Sequence, residues 1–303
     1  MLSQSPRALS APSAGIAALA VVCACALPGC SSSTAFPEVG QDRATTANSV
    51  LALRIGNSPG VGADAYSTGV GRLLLVDGAG TGNSVDVGAM IDAGLVWDAS
   101  GLHYGTSGAE VAVSDSGTTS VPRGKDERHE LSRYSIDDGA ASLAFYIDGD
   151  QQDAVAVTAD GTRDLVPMAG DDGSPIAFSP GHLDWLVGHL SGSVYTFVTS
   201  YGEVYSTDLG TGTTRPLFTV PLTDPDSQAS RFTVDAQNVF TLDVPADSEA
   251  PLTLRRDPFD GGGGEVLLTV DASPVRKGTF LTGGPLMVQA FALRPAYMEG
   301  FAR

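Results

Sequence analysis

The 303-residue chain predicts an all-β fold assembled from a repeated unit of about four strands. Three observations carry that reading. Valine, leucine and threonine alternate with polar residues in short runs, and glycine (37) and proline (18) punctuate them throughout. No stretch beyond Gly29 keeps a helical period over three turns. Asp-Gly or Asp-x-Gly turns recur at Asp77-Gly78, Asp115-Ser116-Gly117, Asp160-Gly161, Asp208-Leu209-Gly210 and Asp260-Gly261, spaced 38, 45, 48 and 52 residues apart.

Each turn closes an expected hairpin, because Asp and Gly supply the positive φ that tight hairpin turns demand. In chain order the flanking strands are 72–76 and 84–87, 110–114 and 118–121, 153–158 and 162–166, 203–207 and 213–218, and 252–256 and 265–270. Apolar segments at 94–97, 141–147, 183–187 and 231–234 precede four of the hairpins, and further strands at 102–104, 194–198 and 239–242 follow three of those segments. Four strands every 38 to 52 residues is the spacing of a β-propeller blade. One four-stranded meander cannot cover both of its faces, so such units must stack around an axis. The first hairpin has only 50–55 ahead of it, and the last segments, 278–281 and 285–293, offer only inner strands. The C-terminal strands are therefore expected to complete the first blade. The expectation is a propeller of five or six four-stranded blades over residues 48–303. The alternative is a β-sandwich or a pair of them, which would not require hairpin turns to recur so regularly.

Residues 1–29 carry one charge, Arg7, and 15–27 form an almost wholly apolar run. Its length suits a signal h-region and falls short of the ~20 residues of a spanning helix. The run ends in Leu27-Pro28-Gly29-Cys30, which resembles the signal of bacterial lipoproteins. The resemblance implies removal of 1–29, acylation of Cys30 and a lipid-anchored protein of the bacterial cell envelope. Several acyl chains hold a protein to a membrane where one alone does not. Ser31 follows the cysteine in place of aspartate, which by the same resemblance sends the protein to the outer membrane of a host that has two. An ordinary secretory leader with an incidental cysteine is the competing reading. Cys23 and Cys25 lie within the leader and no cysteine follows Cys30, so the exported part has no disulfide, thiol nucleophile or thiolate metal site. Residues 30–47, rich in Ser, Thr and Ala, are expected to be a flexible tether.

A second resemblance lies in the repeat. Phe232-Thr233-Val234-Asp235-Ala236-Gln237-Asn238-Val239-Phe240, followed by Leu254-Arg255-Arg256-Asp257-Pro258-Phe259-Asp260-Gly261-Gly262, resembles one blade of the YWTD-like propellers of secreted bacterial lipoproteins. Trp97-Asp98-Ala99-Ser100-Gly101-Leu102-His103-Tyr104 repeats its first half with one extra residue. The resemblance implies the fold and transmits no activity, since such propellers host unrelated functions.

Without the leader the chain has 16 basic and 35 acidic residues, a net charge of −19, which opposes binding to nucleic acid. The acids are scattered rather than blocked, as on a solvated surface. Chemistry is harder to find. The histidines are His103, His129, His182 and His189; the last two bracket a strand around Trp185 and are expected to be structural or rim residues. Gly188-His189-Leu190-Ser191-Gly192 misses the nucleophile elbow by one place. The run from Asp148 to Asp153 has the oxygen ligands of a calcium loop but not its glycine at the sixth position, nor its glutamate at the twelfth, where Ala159 stands. Gly261 to Gly264 lacks the following helix that a phosphate loop needs. Trp97 and Trp185 read as packing between blades, or alternatively as platforms for a sugar or peptide. No catalytic, metal or cofactor-binding residue is singled out. The function expected is non-catalytic binding or scaffolding for a protein, peptide or glycan; an envelope hydrolase or lyase with channel carboxylates, or a structural subunit of an envelope complex, are the alternatives.

Overall fold

The computed structural model describes residues 36–57, 71–87, 94–106, 109–122, 132–136, 143–148, 153–157, 163–176, 187–222, 230–276 and 286–299. Thr34–Arg303 form one unit. In chain order the strands are β1 (Glu38–Val39), β2 (Ser49–Asn57), β3 (Gly71–Asp77) and β4 (Gly82–Asp86), then β5 (Leu95–Asp98), β6 (Gly101–Gly105), β7 (Ala109–Ser114) and β8 (Gly117–Pro122). The middle of the chain gives β9 (Ser132–Ile136), β10 (Leu143–Asp148), β11 (Asp153–Val157) and β12 (Arg163–Pro167), followed by β13 (Val187–Ser191), β14 (Val194–Val198), β15 (Glu203–Asp208) and β16 (Thr214–Thr219). The last quartet is β17 (Arg231–Val234), β18 (Asn238–Asp243), β19 (Leu252–Pro258) and β20 (Glu265–Val270), and β21 (Leu286–Leu293) returns to the start.

These strands pair as antiparallel meanders arranged as a β-propeller. The innermost strands form a closed cycle, β21 beside β5, β5 beside β9, β9 beside β13, β13 beside β17, and β17 beside β21. A cycle of neighbouring inner edges is not two sheets packed face to face, so the sandwich alternative fails. Hydrogen bonding among the described residues gives four sheets rather than five or six separate ones. The reason is that β9 and β13 approach closely enough to pair in parallel, from Arg133↔Val187 to Ile136↔Leu190, and so merge two meanders into one eight-stranded sheet. Closure follows the expected route. β21 pairs antiparallel with β2, from Leu286↔Asn57 to Leu293↔Leu51, so the first sheet is made from both ends of the chain.

Each meander lies between two others, which is why its central strands are apolar on both faces. In β3, Leu74 and Val76 pack toward the last sheet with Leu51, Leu53, Ile55, Phe240, Leu242, Leu252 and Leu254. Leu73 and Leu75, pointing the other way with Ala52 of β2, join Leu95, Trp97, Leu102 and Tyr104 of the second sheet. A third cluster, Val198, Val204, Val220, Phe232, Val234 and Val239, seals the seam between β13–β16 and the last sheet. The outer edges are guarded against pairing with foreign strands by prolines, Pro122, Pro167 and Pro216, and by bulges at Val204/Tyr205 and Leu254/Arg255.

The first sheet is guarded differently, and here the expected tether is corrected. Of residues 30–47, those from 36 onward are packed. β1 pairs in parallel with edge strand β4, Glu38↔Ser84 and Val39↔Val85. Phe36, 3% exposed, enters the cluster on one side of the first sheet, and Ala44 enters the cluster on the other. A 3-10 turn, Gln41–Arg43, lies between them, and Gln41 Nε2 donates to the buried Tyr104 hydroxyl over 3.1 Å. Burial pushes that hydroxyl up to about 12, with the Gln41 bond pulling the other way. The segment is a strap folded over the sheet edge: one buried aromatic and one alanine at a sheet seam outweigh a Ser/Thr/Ala composition that reads as linker. Residues 30–35 lie outside the described residues.

Other differences are local. β9 has no counterpart among the expected strands, because Ser-Arg-Tyr-Ser-Ile shows little hydrophobic contrast beside a charged run. β13 begins at Val187, where the sequence pattern places its end. The hairpin turn at Asp160 and the segment 278–281 lie outside the described residues.

Candidate functional site

Among the described residues the fold brings a Ser/His/Asp set together at the β5–β6 turn. Asp98 ends β5, and its Oδ1 accepts from the Ser100 amide (2.7 Å), the Ser100 hydroxyl (2.6 Å), the Gly101 amide (3.1 Å) and, with the appropriate tautomer, His103 Nε2 (3.1 Å). Ser100 Oγ is also 2.9 Å from that same Nε2. Burial of Asp98 opposes its ionisation, but the bonds from His103 and Ser100 outweigh it and hold the carboxyl below its usual range.

A hydrolytic relay needs the carboxylate at one ring nitrogen and the hydroxyl at the other, so that a proton can pass through the imidazole. Here both partners meet Nε2, and the hydroxyl reaches the carboxylate directly. The set is a cap that closes a turn, with the side chains of Asp98 and His103 only 9% and 18% exposed. Its counterpart in the last sheet plays the same part: Asp235 Oδ1 accepts from the Gln237 and Asn238 amides at 2.7 Å each and from Asn238 Nδ2 at 3.1 Å. Strand pairing puts Asp98 opposite Gly101, and Val234 opposite Val239 beyond the matching Asp235 turn. The two Asp-Ala-x-x turns thus have equal length. His103 stands where the last sheet places Phe240.

We expect Asp98→Ala to cost about 2 kcal/mol through the loss of charge-assisted bonds to two amides. That would lower the thermal midpoint by about 4–8 °C for a domain of this size. Calorimetry checks it, and an unchanged midpoint would contradict the cap. Gly101, φ +143, is held beside the Val113 carbonyl, which a Cβ would meet at 2.5 Å; Gly101→Ala should be destabilising both sterically and by backbone conformation.

The remaining sequence candidates disperse. His189 lies in the middle of β13, buried and paired across to Thr196, rather than flanking a strand. Ser191 of the near-elbow is the last residue of that strand. Trp97 is buried at the seam between the first two sheets, with the Arg294 guanidinium 5.9 Å from its ring centroid, so it packs and offers no open platform. Gly261 to Gly264 form the β19–β20 turn, and a strand follows, not a helix. Asp148 and Asp153 end paired strands, while 149–152 lie outside the described residues, as do Cys30, His129, His182 and Trp185. Among the described residues no group of three or more His, Cys, Asp or Glu side chains could hold a metal, and no helix is long and apolar enough to cross a membrane.

Arginines occupy the seams. Arg231 Nε donates to the Gln289 carbonyl (3.1 Å), tying the last sheet to β21. Arg255 Nη2 donates to the Pro221 carbonyl (2.6 Å), while its Nε pairs with Asp257 at 3.0 Å. Arg294, just past β21, pairs with Asp115 in the β7–β8 turn at 2.5 Å and donates to the Thr46 carbonyl at 3.0 Å. Thr46 Oγ1 donates to the same Asp115 carboxylate at 2.8 Å, and Thr118 Oγ1 to the Ala44 carbonyl at 3.1 Å. This junction joins strap, second sheet and C-terminus. Its partners are 69 and 179 residues apart, so no local pattern could reveal it.

The bonds from Thr46 and then Arg294 hold the Asp115 carboxyl below its ordinary value. A depressed carboxyl contributes stability above its unfolded-state value, near 3.8, and loses it as pH falls through the folded value. The thermal midpoint of Asp115→Asn should therefore depend less on pH than wild type below about pH 4. Parallel acid limbs in the two proteins would show the junction to be energetically silent.

No family model and no curated protein matches this chain. Among solved structures it is similar to TolB from Acinetobacter baumannii, at 13% identity and a TM-score of 0.40, covering 74% of this chain and 55% of that one. It spans little more than half of that protein's length. A streptogramin B lyase aligns at 11% identity and a TM-score of 0.32, over 70% of this chain and 82% of that one. BamB from Moraxella catarrhalis aligns at 14% identity and a TM-score of 0.25, over 58% and 59%. Likeness this loose transmits neither activity nor partner.

Proposed function

We propose that this protein is a five-bladed β-propeller, lipid-anchored through Cys30 in the bacterial cell envelope, that binds a protein, peptide or glycan and performs no chemistry on it. Five blades result when the eight-stranded sheet is divided between β9 and β13, leaving quartets β9–β12 and β13–β16 beside the other three. The observation that carries the non-catalytic reading is the geometry at His103 Nε2, where the histidine of the assembled Ser/His/Asp set serves a turn. Seam arginines bound to carbonyls support it, since charge that might serve a reaction is used to hold blades together. The lipobox Leu27-Pro28-Gly29-Cys30 supports the anchor, and in a two-membrane host the residue after it, Ser31, favours the outer membrane.

Two measurements test the halves separately. Metabolic labelling with palmitate should be lost in Cys30→Ala, together with retention by membranes; unchanged incorporation refutes the anchor. Panels of peptides and glycans should show saturable binding with ligand recovered intact. Turnover of any panel member, abolished by substituting a channel carboxylate, would make the protein a hydrolase or lyase instead.

A further inference from the structure

We propose that the strap fixes the propeller at a short standoff, with the outer edge of the first sheet turned toward the lipid bilayer. The proposal rests on acylation of Cys30. Phe36 is buried, and the contacts continue through β1 on β4, Gln41 on Tyr104 and Thr46 on Asp115. The strap is therefore part of the domain and cannot unroll as linker without breaking those contacts. Covalent length does the rest. Six residue steps separate Cys30 from Phe36, and an extended chain covers at most about 3.3–3.6 Å per step, so the reach is about 20 Å. A tether running to residue 47 would have reached about 60 Å. The longer leash would leave a domain of this size free to tumble above a membrane. The shorter one, attached at one sheet edge, does not, because turning that edge away would drive the body of the propeller into the bilayer.

Charge gives no rival explanation for such an orientation. Among the described residues the ionisable groups at this edge are mixed, Glu38, Asp42 and Asp86 beside Arg43 and the half-buried Arg72, so they form no basic patch to draw it onto anionic headgroups. The hold is covalent and should not relax with salt. In this orientation the opposite side of the ring, β9–β16, faces away from the lipid.

Cys30 is the one cysteine left after removal of the leader, so an engineered thiol is uniquely labelled once Cys30 is acylated. Asp42 lies in the strap and is 82% exposed; Thr211 lies in the exposed β15–β16 turn on the far side of the ring. Full-length acylated D42C and T211C, each carrying a donor dye, are reconstituted in neutral phosphatidylcholine vesicles containing an acceptor-labelled lipid. Energy transfer from position 42 should be at least twice that from position 211 and unchanged by salt. The ratio should fall toward one when a flexible Gly/Ser segment of about 20 residues is inserted between Ser33 and Thr34. A ratio near one in the chain of native length, or one that survives the insertion, overturns the standoff. Mass spectrometry of the same samples separates the two failures: an unacylated Cys30 refutes the anchor itself, and an acylated one with equal transfer refutes only the orientation.

Discussion

Ending the chain before Leu286 should abolish cooperative folding. β21 is the inner strand of the first sheet, and its removal strips β2 of a full ladder of pairing partners. It also removes Val288, Phe291 and Leu293 from the core shared with Leu51, Leu53 and Ile55. At about 1.5–3 kcal/mol for each buried apolar side chain, those three alone account for about 5–9 kcal/mol. Unfolding free energies of domains are typically about 5–15 kcal/mol, so little stability would remain. The ring would also be open, with β5 and β17 each lacking the neighbour that separates them. Near-ultraviolet circular dichroism and thermal unfolding test this directly. A truncated protein that melts sharply, within a few degrees of the full chain, would show that the first sheet does not need its C-terminal strand.

Gly188→Ala should be strongly destabilising, although it adds a single methyl group. Gly188 in β13 lies under the ring of Tyr195 in β14, and a Cβ built on it would overlap the ring's Cζ, Cε2 and hydroxyl oxygen. The ring has nowhere to retreat. It is fully buried and stacks on Phe197 at 5.5 Å, which stacks on Tyr205 at 5.6 Å. Overpacking of this kind costs about 1–3 kcal/mol, and sometimes more. The test is a double-mutant cycle with Tyr195→Ala, a change expected to cost about 3–5 kcal/mol alone. If the methyl group and the ring compete for one volume, the pair should cost less than the sum by about 0.5–3 kcal/mol. Additive losses would mean that Gly188 matters for some reason other than that contact.

The elements legible in the sequence are those whose cause is local. Asp77, Asp115, Asp208 and Asp260 each sit at a hairpin turn between paired strands, because the side chain and φ requirements of a tight turn involve only neighbouring residues. Asp77 illustrates it: its carboxylate accepts from the amides of Ala79 and Thr81 at 2.9 and 3.0 Å. The apolar runs in β2 and β3 likewise announce strands buried on both faces. What escapes has causes far away in sequence. The strap reads as linker because Phe36 and Ala44 look ordinary until two sheet seams receive them. The Asp98, Ser100 and His103 set has catalytic residue types within six positions, and only the folded turn brings both partners to one nitrogen.

The sequence by itself determined the strand class, the hairpin positions, the closing of the first blade by the C-terminus and the absence of thiol chemistry beyond Cys30. These follow from turn conformation, alternation and residue count, which need no knowledge of what packs on what. Tertiary structure alone decided that β9 and β13 fuse two meanders, that residues 36 onward belong to the domain, and that Arg294 locks Asp115 to both chain ends. Those outcomes depend on how closely distant segments approach, and an interaction energy that falls off within a few ångströms leaves no trace in linear order.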